Sequence, residues 1–353
     1  MTILAFVAIF SAVVFVHELG HFLVAKLAGV RVDEFGFGYP PRLLRIARLG
    51  HTDYTINAIP IGGFVRVAGD ENPSDPGSMA RRSPWLRGAF LVAGPAMNLV
   101  LAAVLLGVTF VTGVLTPVDG AAGVGVYGVA PGSPAAVAGL RVGDNILSVD
   151  GEPVSSVTDL RQLINARLDR EVALVVSRDG AVLAEPLRLV PRSQPPEDEG
   201  PIGIATGAPL GKVSFPPWQA AWMGLLRALD FVLRIVGGLV LMVRGQMAPD
   251  LTGPIGIAHI TGEMARSGLA QLMEWTAFLS VNLFIINLLP FPALDGGRLV
   301  FVGLEIVRRG RRVDPKKEGL VHFVGIVLML ALFFVISYFD LVRLAQGAPL
   351  IGP

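Results

Sequence analysis

The sequence of 353 residues contains no cysteine and little charge. Without cysteine the chain can form neither disulfide bonds nor thiolate metal sites, so any metal must be bound by His, Asp or Glu. Charged residues make up 16% of the chain, against about 25% in a typical soluble domain. Hydrophobic residues make up 52%, which would expose too much apolar surface for a monomer in water. The net charge of +1 gives no global field that favours nucleic acid, so no nucleic-acid partner is expected.

The apolar residues are concentrated in blocks of about 20 residues, which is the length of a helix that spans a bilayer. These blocks predict four transmembrane helices, over residues 2–25, 89–115, 272–291 and 319–340. The first block lacks the basic start and the cleavage site of a signal peptide, so we interpret it as a retained helix. A further apolar stretch, residues 231–243, is too short to span. Because Trp218 and Trp222 precede it, it favours an amphipathic helix at the membrane interface.

Basic residues predict the orientation of these helices. The loop 26–87 holds nine of them and the loop 296–318 holds seven. Because cytoplasmic loops carry an excess of Lys and Arg, both loops are expected in the cytoplasm. Both termini and the long segment 116–271 then lie on the extracytoplasmic side.

The long segment begins with an alternation of strand-like runs and turns that predicts a small α+β domain. Strands are expected at 124–129, 145–149, 172–177 and 182–189, and a helix at 157–167 with Ser156 as its N-cap. Residues 191–217 are rich in Pro and Gly and are interpreted as a linker. The chain is therefore divided into a first membrane part (1–118), the α+β domain (119–192), a linker with the interfacial helix (193–246) and a second membrane part (247–353).

The motif His17-Glu18-Leu19-Gly20-His21 lies within the first predicted span. Residues four apart share one face of a helix, so the two imidazoles can bind one ion. Glu18 can then act as a general base for a water whose pKa zinc lowers to about 7. The alternative is a pair of histidines packed between helices. Polar groups in an apolar span are costly unless they line a polar site, which argues against that alternative.

Catalytic zinc usually has three protein ligands, and Asp295 is the candidate for the third. His17 lies about 24 Å along a helix that enters from the outside, near the cytoplasmic leaflet. Asp295 closes the third span at that same leaflet, and Pro290 and Pro292 break the helix just ahead of it. Irregular backbone at this depth is tolerated where it lines a cavity. The alternative is an Asp that ends the helix and faces the cytoplasm.

The sequence resembles the site-2 proteases, which are intramembrane zinc metalloproteases, and within them the bacterial RseP/RasP type with a single PDZ domain. Three segments in matching order carry the resemblance, namely His17–His21, Gly94–Asn98 and Asn287–Gly297. The resemblance implies an α-helical polytopic membrane protein with four transmembrane helices, a reentrant β-hairpin and an extracytoplasmic α+β PDZ domain. It also implies that His17, His21 and Asp295 bind Zn²⁺ and that Glu18 is the catalytic base.

The resemblance further implies residues that contact the substrate. Asn287 and Asn282 would bind the backbone of the substrate, and the alternative for both is hydrogen bonding between helices. Residues 35–70, with Gly62 and Gly63, resemble the reentrant β-hairpin of the family, whose edge can pair with an extended peptide. The alternative for this segment is an ordinary cytoplasmic hairpin.

The implied function is that of a membrane-embedded zinc endopeptidase in the inner membrane of a bacterium, with its active site near the cytoplasmic leaflet. Its partners would be the lipid bilayer and single-pass membrane proteins already trimmed on the outside, such as an anti-sigma factor or a signal-peptide remnant. The PDZ domain would filter substrates by size or bind their trimmed ends.

Two alternatives stay open at this stage. One is a zinc-dependent membrane scaffold or transporter with a PDZ module and no hydrolysis, against which the intact Glu18 argues. The other is a membrane zinc protease whose third ligand is a Glu on a later helix, such as Glu263, Glu274, Glu305 or Glu318. Of the remaining histidines, His51 and His259 are interpreted as ordinary and His322 as interfacial.

Overall fold

The computed structural model describes residues 2–68, 77–118, 120–196, 199–247 and 252–346. The chain folds as two units, a mainly helical one from residues 1–109 and 217–353 and a β-rich one from residues 110–216. Residues 197 and 198 of the predicted linker and residues 347–353 of the predicted extracytoplasmic terminus lie outside the described residues.

The elements are named in chain order. The helices are α1 (Thr2–Leu27), α2 (Pro84–Thr112), α3 (Pro134–Val137), α4 (Val157–Asn165), α5 (Pro217–Val243), α6 (Pro254–Ser267), α7 (Leu269–Leu288), α8 (Asp295–Val307) and α9 (Pro315–Ala345). The strands are β1 (Val32–Leu49), β2 (Thr52–Val67), β3 (Val114–Pro117), β4 (Val124–Val129), β5 (Asn145–Val149), β6 (Glu152–Pro153), β7 (Val172–Arg178), β8 (Ala181–Val182), β9 (Leu187–Leu189), β10 (Ile204–Gly207) and β11 (Leu210–Val213).

Four helices of the described chain are long and apolar enough to cross a membrane, namely α1, α2, α7 and α9. They match the four predicted spans, with ends that differ by a few residues. The third span ends at Leu288 rather than at residue 291, because the chain turns into an irregular segment ahead of Pro290. The strands of the described chain form three separate sheets, so long apolar helices are combined with a β-rich region.

Helix α5 is longer than the predicted interfacial helix, since it begins at Pro217 rather than at residue 231. Its buried residues are Ala220, Gly224 and Ala228, which recur every four residues and so form a stripe of small side chains. A Cβ at Gly224 would lie 2.4 Å from the main-chain oxygen of Ala103 in α2, so the two backbones are in direct contact. The sequence prediction followed large apolar residues and therefore missed the first half of the helix. The interfacial position of α5 stays a prediction.

The segment 296–318, predicted as a cytoplasmic loop, contains helix α8 in its first part, which the sequence did not predict, and its cytoplasmic position stays a prediction. Val302 and Glu305 lie one turn apart on the buried face of α8. Glu305 accepts hydrogen bonds from the guanidinium groups of Arg87 and Arg312.

The β1–β2 pair is more elaborate than the predicted hairpin of residues 35–70. Both strands bend in the middle, so Phe35 pairs with Val65 on one side and with Tyr54 on the other. The result is a small antiparallel sheet of four segments, in the order 42–49, 52–57, 32–39 and 63–67. Within the described residues, segment 63–67 has a strand neighbour on one side only.

The β-rich unit contains one antiparallel sheet in the order β10-β4-β5-β7-β8, with β6 beside β5 and β9 beside β7. The predicted strands at 124–129, 145–149 and 172–177 and the helix at 157–167 are present within two residues of their predicted ends. Ser156 is the N-cap of α4, and its hydroxyl accepts a hydrogen bond from the Asp159 amide at 3.1 Å. The predicted strand 182–189 is divided into β8 and β9.

The linker predicted for residues 191–217 was wrong. Strand β10 pairs with β4 at the edge of the sheet, and β11 pairs with β3 in a separate ladder. Ile202 belongs to the core of the unit, together with residues of the other strands. Many Pro and Gly residues of this segment lie outside its two short strands, and turns between strands have the same composition as a linker.

A groove of about 200 Å³ runs between α4 and β10 in the β-rich unit. Its lining is mixed, with apolar Leu160, Ile164 and Ile204 beside polar Arg161, Asn165 and Thr206. Ile204 and Thr206 belong to β10, which is the edge strand of the sheet.

Candidate metal centre

The structure brings together His17, His21 and Asp295, which lie on two separate helices. The Nε2 atoms of His17 and His21 are 3.1 Å apart, because four residues along α1 place both rings on one face. Oδ2 of Asp295 lies 3.1 Å from Nε2 of His17 and 3.3 Å from Nε2 of His21. Both imidazoles are buried, with 7% and 5% of their surface exposed. Among the residues that the structure describes, this is the one group of His and acidic side chains with metal-ligand spacing.

The three donor atoms fit a zinc ion. A tetrahedral ion with ligand distances of about 2.0–2.1 Å separates neighbouring donors by about 3.3 Å, close to the spacing observed here. Oδ2 of Asp295 is buried and points at the two ring nitrogens without another hydrogen-bond partner in the described chain. Two imidazole nitrogens and a carboxylate oxygen are also the donor types found in catalytic zinc sites.

Asp295 reaches this position because α7 stops short and α8 starts anew at the aspartate itself. The connecting turn is very tight. A Cβ at Gly296 would lie 2.2 Å from the main-chain oxygen of Leu289, and a Cβ at Gly297 would lie 2.3 Å from that of Phe291. The two glycines after the aspartate are therefore a requirement of the turn that aims its carboxylate.

His322 supports the same turn. Its Nδ1 accepts a hydrogen bond of 3.0 Å from the amide of Ala293, two residues ahead of Asp295. Ala293 has a φ of 79°, an uncommon left-handed conformation for a residue with a side chain. The sequence prediction of an interfacial His322 missed this contact, which no local pattern could reveal because the partners are 29 residues apart.

Helix α2 contacts both imidazoles. The main-chain oxygen of Phe90 lies 2.7 Å from Nδ1 of His21, and the side-chain amide of Asn98 lies 3.1 Å from Nδ1 of His17. Midway between them, a Cβ at Gly94 would lie 2.3 Å from Nε2 of His21 and 2.8 Å from Nε2 of His17. The segment Gly94–Asn98 is one of the three that carry the family resemblance, but no role was predicted for it. Gly94 and Asn98 are four residues apart and so share one helix face, and this spacing could have indicated a role at the site.

Glu18 lies on α1 next to the three donor atoms. Its carboxylate is within electrostatic range of both histidines and of Asp295, and it lies near the backbone amide of Val65 in β2. Strand β2 therefore passes directly beside the site. A carboxylate held there is placed to accept a proton from a water at the metal and to pass it on.

Gly62 and Gly63 lie where β2 crosses α1. A Cβ at Gly62 would lie 2.6 Å from Cγ1 of Val14, and a Cβ at Gly63 would lie 2.9 Å from Cδ2 of Phe15. Both glycines thus permit the close approach of the sheet to the helix that carries the histidines. Their predicted contact with substrate stays a prediction.

Asn282 and Asn287 both lie on α7 and are partly buried. The side-chain amide of Asn282 donates to the main-chain oxygen of Phe278, and that of Asn287 donates to the oxygen of Leu283, each at 2.9 Å. These bonds lie within α7, so they are not the hydrogen bonds between helices that were the alternative to substrate contact. Their predicted contact with a substrate backbone stays a prediction.

The other polar residues considered for the sequence lie away from this centre. His259 faces Glu263 one turn later on α6 at 3.6 Å, and both side chains are exposed. Glu305 is held by Arg87 and Arg312. Within the described ranges, none of the four later glutamates joins the two histidines.

Comparison with known proteins gives consistent matches along the chain. The sequence model of peptidase family M50 matches residues 5–332. Zinc metalloprotease RasP of Geobacillus kaustophilus is 30% identical over 96% of this chain and 97% of its own length. The regulator of sigma-W protease RasP of Bacillus subtilis is 30% identical over 97% of this chain and 99% of its own length.

Proposed function

The chain belongs to peptidase family M50 and is a zinc metalloprotease of the site-2 protease family, and from this we propose that it cleaves transmembrane segments of single-pass proteins inside the bilayer. The observation that carries the proposal is the triad of donor atoms from His17, His21 and Asp295. His17 and His21 lie within the apolar helix α1, where polar groups are costly unless they serve a site, and Asp295 at the start of α8 lies beside them.

Zinc at this position would act as a Lewis acid and supply a hydroxide at neutral pH. His17 and His21 would hold it from α1, and Asp295 would hold it from the start of α8. Glu18 accepts the proton of the attacking water and delivers it to the leaving amine. The backbone amide of Val65 lies near the Glu18 carboxylate, so strand β2 passes beside the general base.

A transmembrane helix must lose its helical geometry before its peptide bonds can be hydrolysed, and its freed backbone groups then need partners. The open edge at residues 63–67 is suited to pair with such an extended segment. Gly62 and Gly63 hold this edge against α1, close to Glu18. Asn282 and Asn287 can exchange their bonds within α7 for bonds to the substrate, since a side-chain amide both donates and accepts.

The β-rich unit serves as a PDZ domain in this proposal. Its groove between α4 and the edge strand β10 is suited to an extended chain end of a trimmed substrate. If the groove binds that end, or if the unit excludes longer chain ends, cleavage is restricted to substrates already shortened on the extracytoplasmic side. The volume of about 200 Å³ corresponds to a few side chains rather than to a folded domain.

We place the protein in the inner membrane of a bacterium, with the β-rich unit and both termini outside the cytoplasm. The excess of Lys and Arg in 26–87 and 296–318 supports this orientation. The substrates proposed are single-pass proteins of the anti-sigma factor type and signal-peptide remnants. One relative carries the name regulator of sigma-W protease, which supports the first class.

The test is co-expression of the chain with tagged single-pass proteins truncated on the outer side. We expect wild type to convert such a substrate to a shorter cytoplasmic fragment, and Glu18→Gln to leave it intact while zinc remains bound. Glu263→Gln, on the exposed face of α6, is the control and should cleave like wild type. Cleavage that persists in Glu18→Gln would refute the assigned base, and zinc uptake without cleavage by wild type would refute the protease assignment.

A further inference from the structure

We propose that Asn98 is a positioning residue that accepts a hydrogen bond from the Nδ1–H of His17 and thereby fixes the tautomer in which Nε2 can bind zinc. The inference rests on the proposed metal site, and it assigns a role to the segment Gly94–Asn98 of α2. Asn98 is completely buried, with 0% of its surface exposed, and its side-chain amide contacts His17 at 3.1 Å.

The first step is the tautomer of the two histidines. A neutral imidazole that binds a metal through Nε2 must carry its proton on Nδ1. His21 meets this requirement in the structure, because its Nδ1 lies 2.7 Å from the main-chain oxygen of Phe90, which can only accept. His17 needs an acceptor at the equivalent place, and Asn98 is the residue that lies there.

The second step is the orientation of the Asn98 amide. In the structure Nδ2 faces His17, while Oδ1 is buried without a hydrogen-bond partner in the described chain. Nitrogen and oxygen of such an amide are distinguished only by their partners. Turning the amide by 180° brings Oδ1 to the Nδ1–H of His17 and gives the isolated oxygen a partner. With zinc bound this orientation is required, because a proton on both facing nitrogens would leave them repelling each other.

The third step is the fixed position of Asn98 itself. Its main-chain oxygen accepts a hydrogen bond of 2.8 Å from the hydroxyl of Ser280 in α7. A polar chain thus runs from His17 on α1 through Asn98 on α2 to Ser280 on α7. Partners of this kind orient the ligand ring and raise its basicity, and their loss typically lowers metal affinity by about 10–100-fold.

The test measures zinc affinity of the full chain in detergent, by competition with a chromophoric chelator after removal of bound metal. Asn98→Leu removes the acceptor at similar volume, and we expect a dissociation constant raised by about 10–100-fold. Asn98→Asp keeps an acceptor and should bind zinc at least as tightly as wild type. Thr109→Val removes another buried hydroxyl of α2, whose bond goes to Leu106, and should leave the affinity unchanged.

Equal zinc affinities for Asn98→Leu and wild type would overturn the assignment. An equal loss of affinity in Asn98→Leu and Asn98→Asp would also overturn it, because packing rather than the hydrogen bond would then explain the loss. A wild-type chain that binds no zinc, or binds it unchanged after His17→Ala, would instead refute the metal site. A second measurement needs no variant of Asn98. In the nitrogen NMR spectrum of the zinc-loaded wild type, Nδ1 of His17 should carry the proton, and an unprotonated Nδ1 would overturn the inference.

Discussion

Gly94 and His21 approach so closely that a single added methyl group on the glycine would lie 2.3 Å from the Nε2 atom of the histidine. Real Cβ atoms do not make such contacts. Glycine at position 94 therefore leaves the space in which the metal-facing Nε2 atoms of α1 lie. The shape of the site therefore depends on α2 as much as on the helix that carries the ligands.

Gly94→Ala should lower zinc affinity by more than about tenfold, because the methyl group displaces His21 from the ligand geometry. Zinc content after purification and competition with a chelator would measure the change. Gly88→Ala is the matched control in the same helix, since a Cβ there would meet Leu299 at an ordinary 3.6 Å. That variant should keep its zinc. Full zinc binding by Gly94→Ala would contradict the close packing described for α2.

Asp295→Asn should lower the ratio of zinc to protein, because a neutral amide is a much weaker ligand than a carboxylate. The expected loss is at least about tenfold in affinity, measured by atomic absorption or by chelator competition. Asp230→Asn, which removes a carboxylate from the surface of α5, should leave the ratio as in wild type. An unchanged ratio in Asp295→Asn would remove this residue from the set of ligands.

Asp340 joins α9 to the start of α6 and should be important for stability. It is 1% exposed, and its two carboxylate oxygens accept the backbone amides of Gly253 at 3.0 Å and Gly256 at 2.8 Å. Asp340→Ala leaves both buried amides without a partner, at a cost of about 1–3 kcal/mol each. A lower midpoint of thermal unfolding in detergent would show this.

The matched control for Asp340 is Asp314→Ala, which removes an exposed N-cap bond of 2.9 Å to the Lys316 amide. That change should cost only about 1 kcal/mol. Equal effects of the two variants would argue that the buried position of Asp340 adds nothing.

Arg178 compensates a buried carboxylate in the β-rich unit. Its guanidinium donates to both oxygens of Asp144 at 2.8 Å, and this hydrogen bonding raises the pKa of Arg178. Arg178→Ala should destabilise the unit by about 3–5 kcal/mol, because Asp144 is then buried without its counter-charge. Faster hydrogen exchange of the β5 and β7 amides would report the loss.

Arg188→Ala is the control for Arg178, because its pair with Glu171 at 3.1 Å is exposed on both sides. Exposed pairs contribute about 0–1 kcal/mol, so the exchange rates should hardly change. If both variants accelerated hydrogen exchange equally, the burial of Asp144 would not be the cause of the faster exchange in Arg178→Ala.

Much of the fold was predictable from local patterns. The four spans, the strands β4, β5 and β7 and the N-cap Ser156 follow from apolar length, alternation and a capping residue, all of which act over a few positions. The predictions that were wrong concern segments whose role depends on distant partners. Residues 204–213 have the composition of a linker, but they pair with β3 and β4, which lie far earlier in the chain.

The sequence by itself determined that this is a membrane protein, because its apolar residues form blocks long enough to span a bilayer. It also determined a candidate zinc site built from His and carboxylate, because the chain lacks cysteine and carries His17, Glu18 and His21 at ligand spacing. It could do so because hydropathy and helical period are local properties. Only the tertiary structure decided what surrounds that site, because Phe90, Gly94, Asn98 and His322 act through space, with partners 29 to 81 residues away. Donor orientation and available volume are set by packing between helices, and a linear sequence carries no direct record of either.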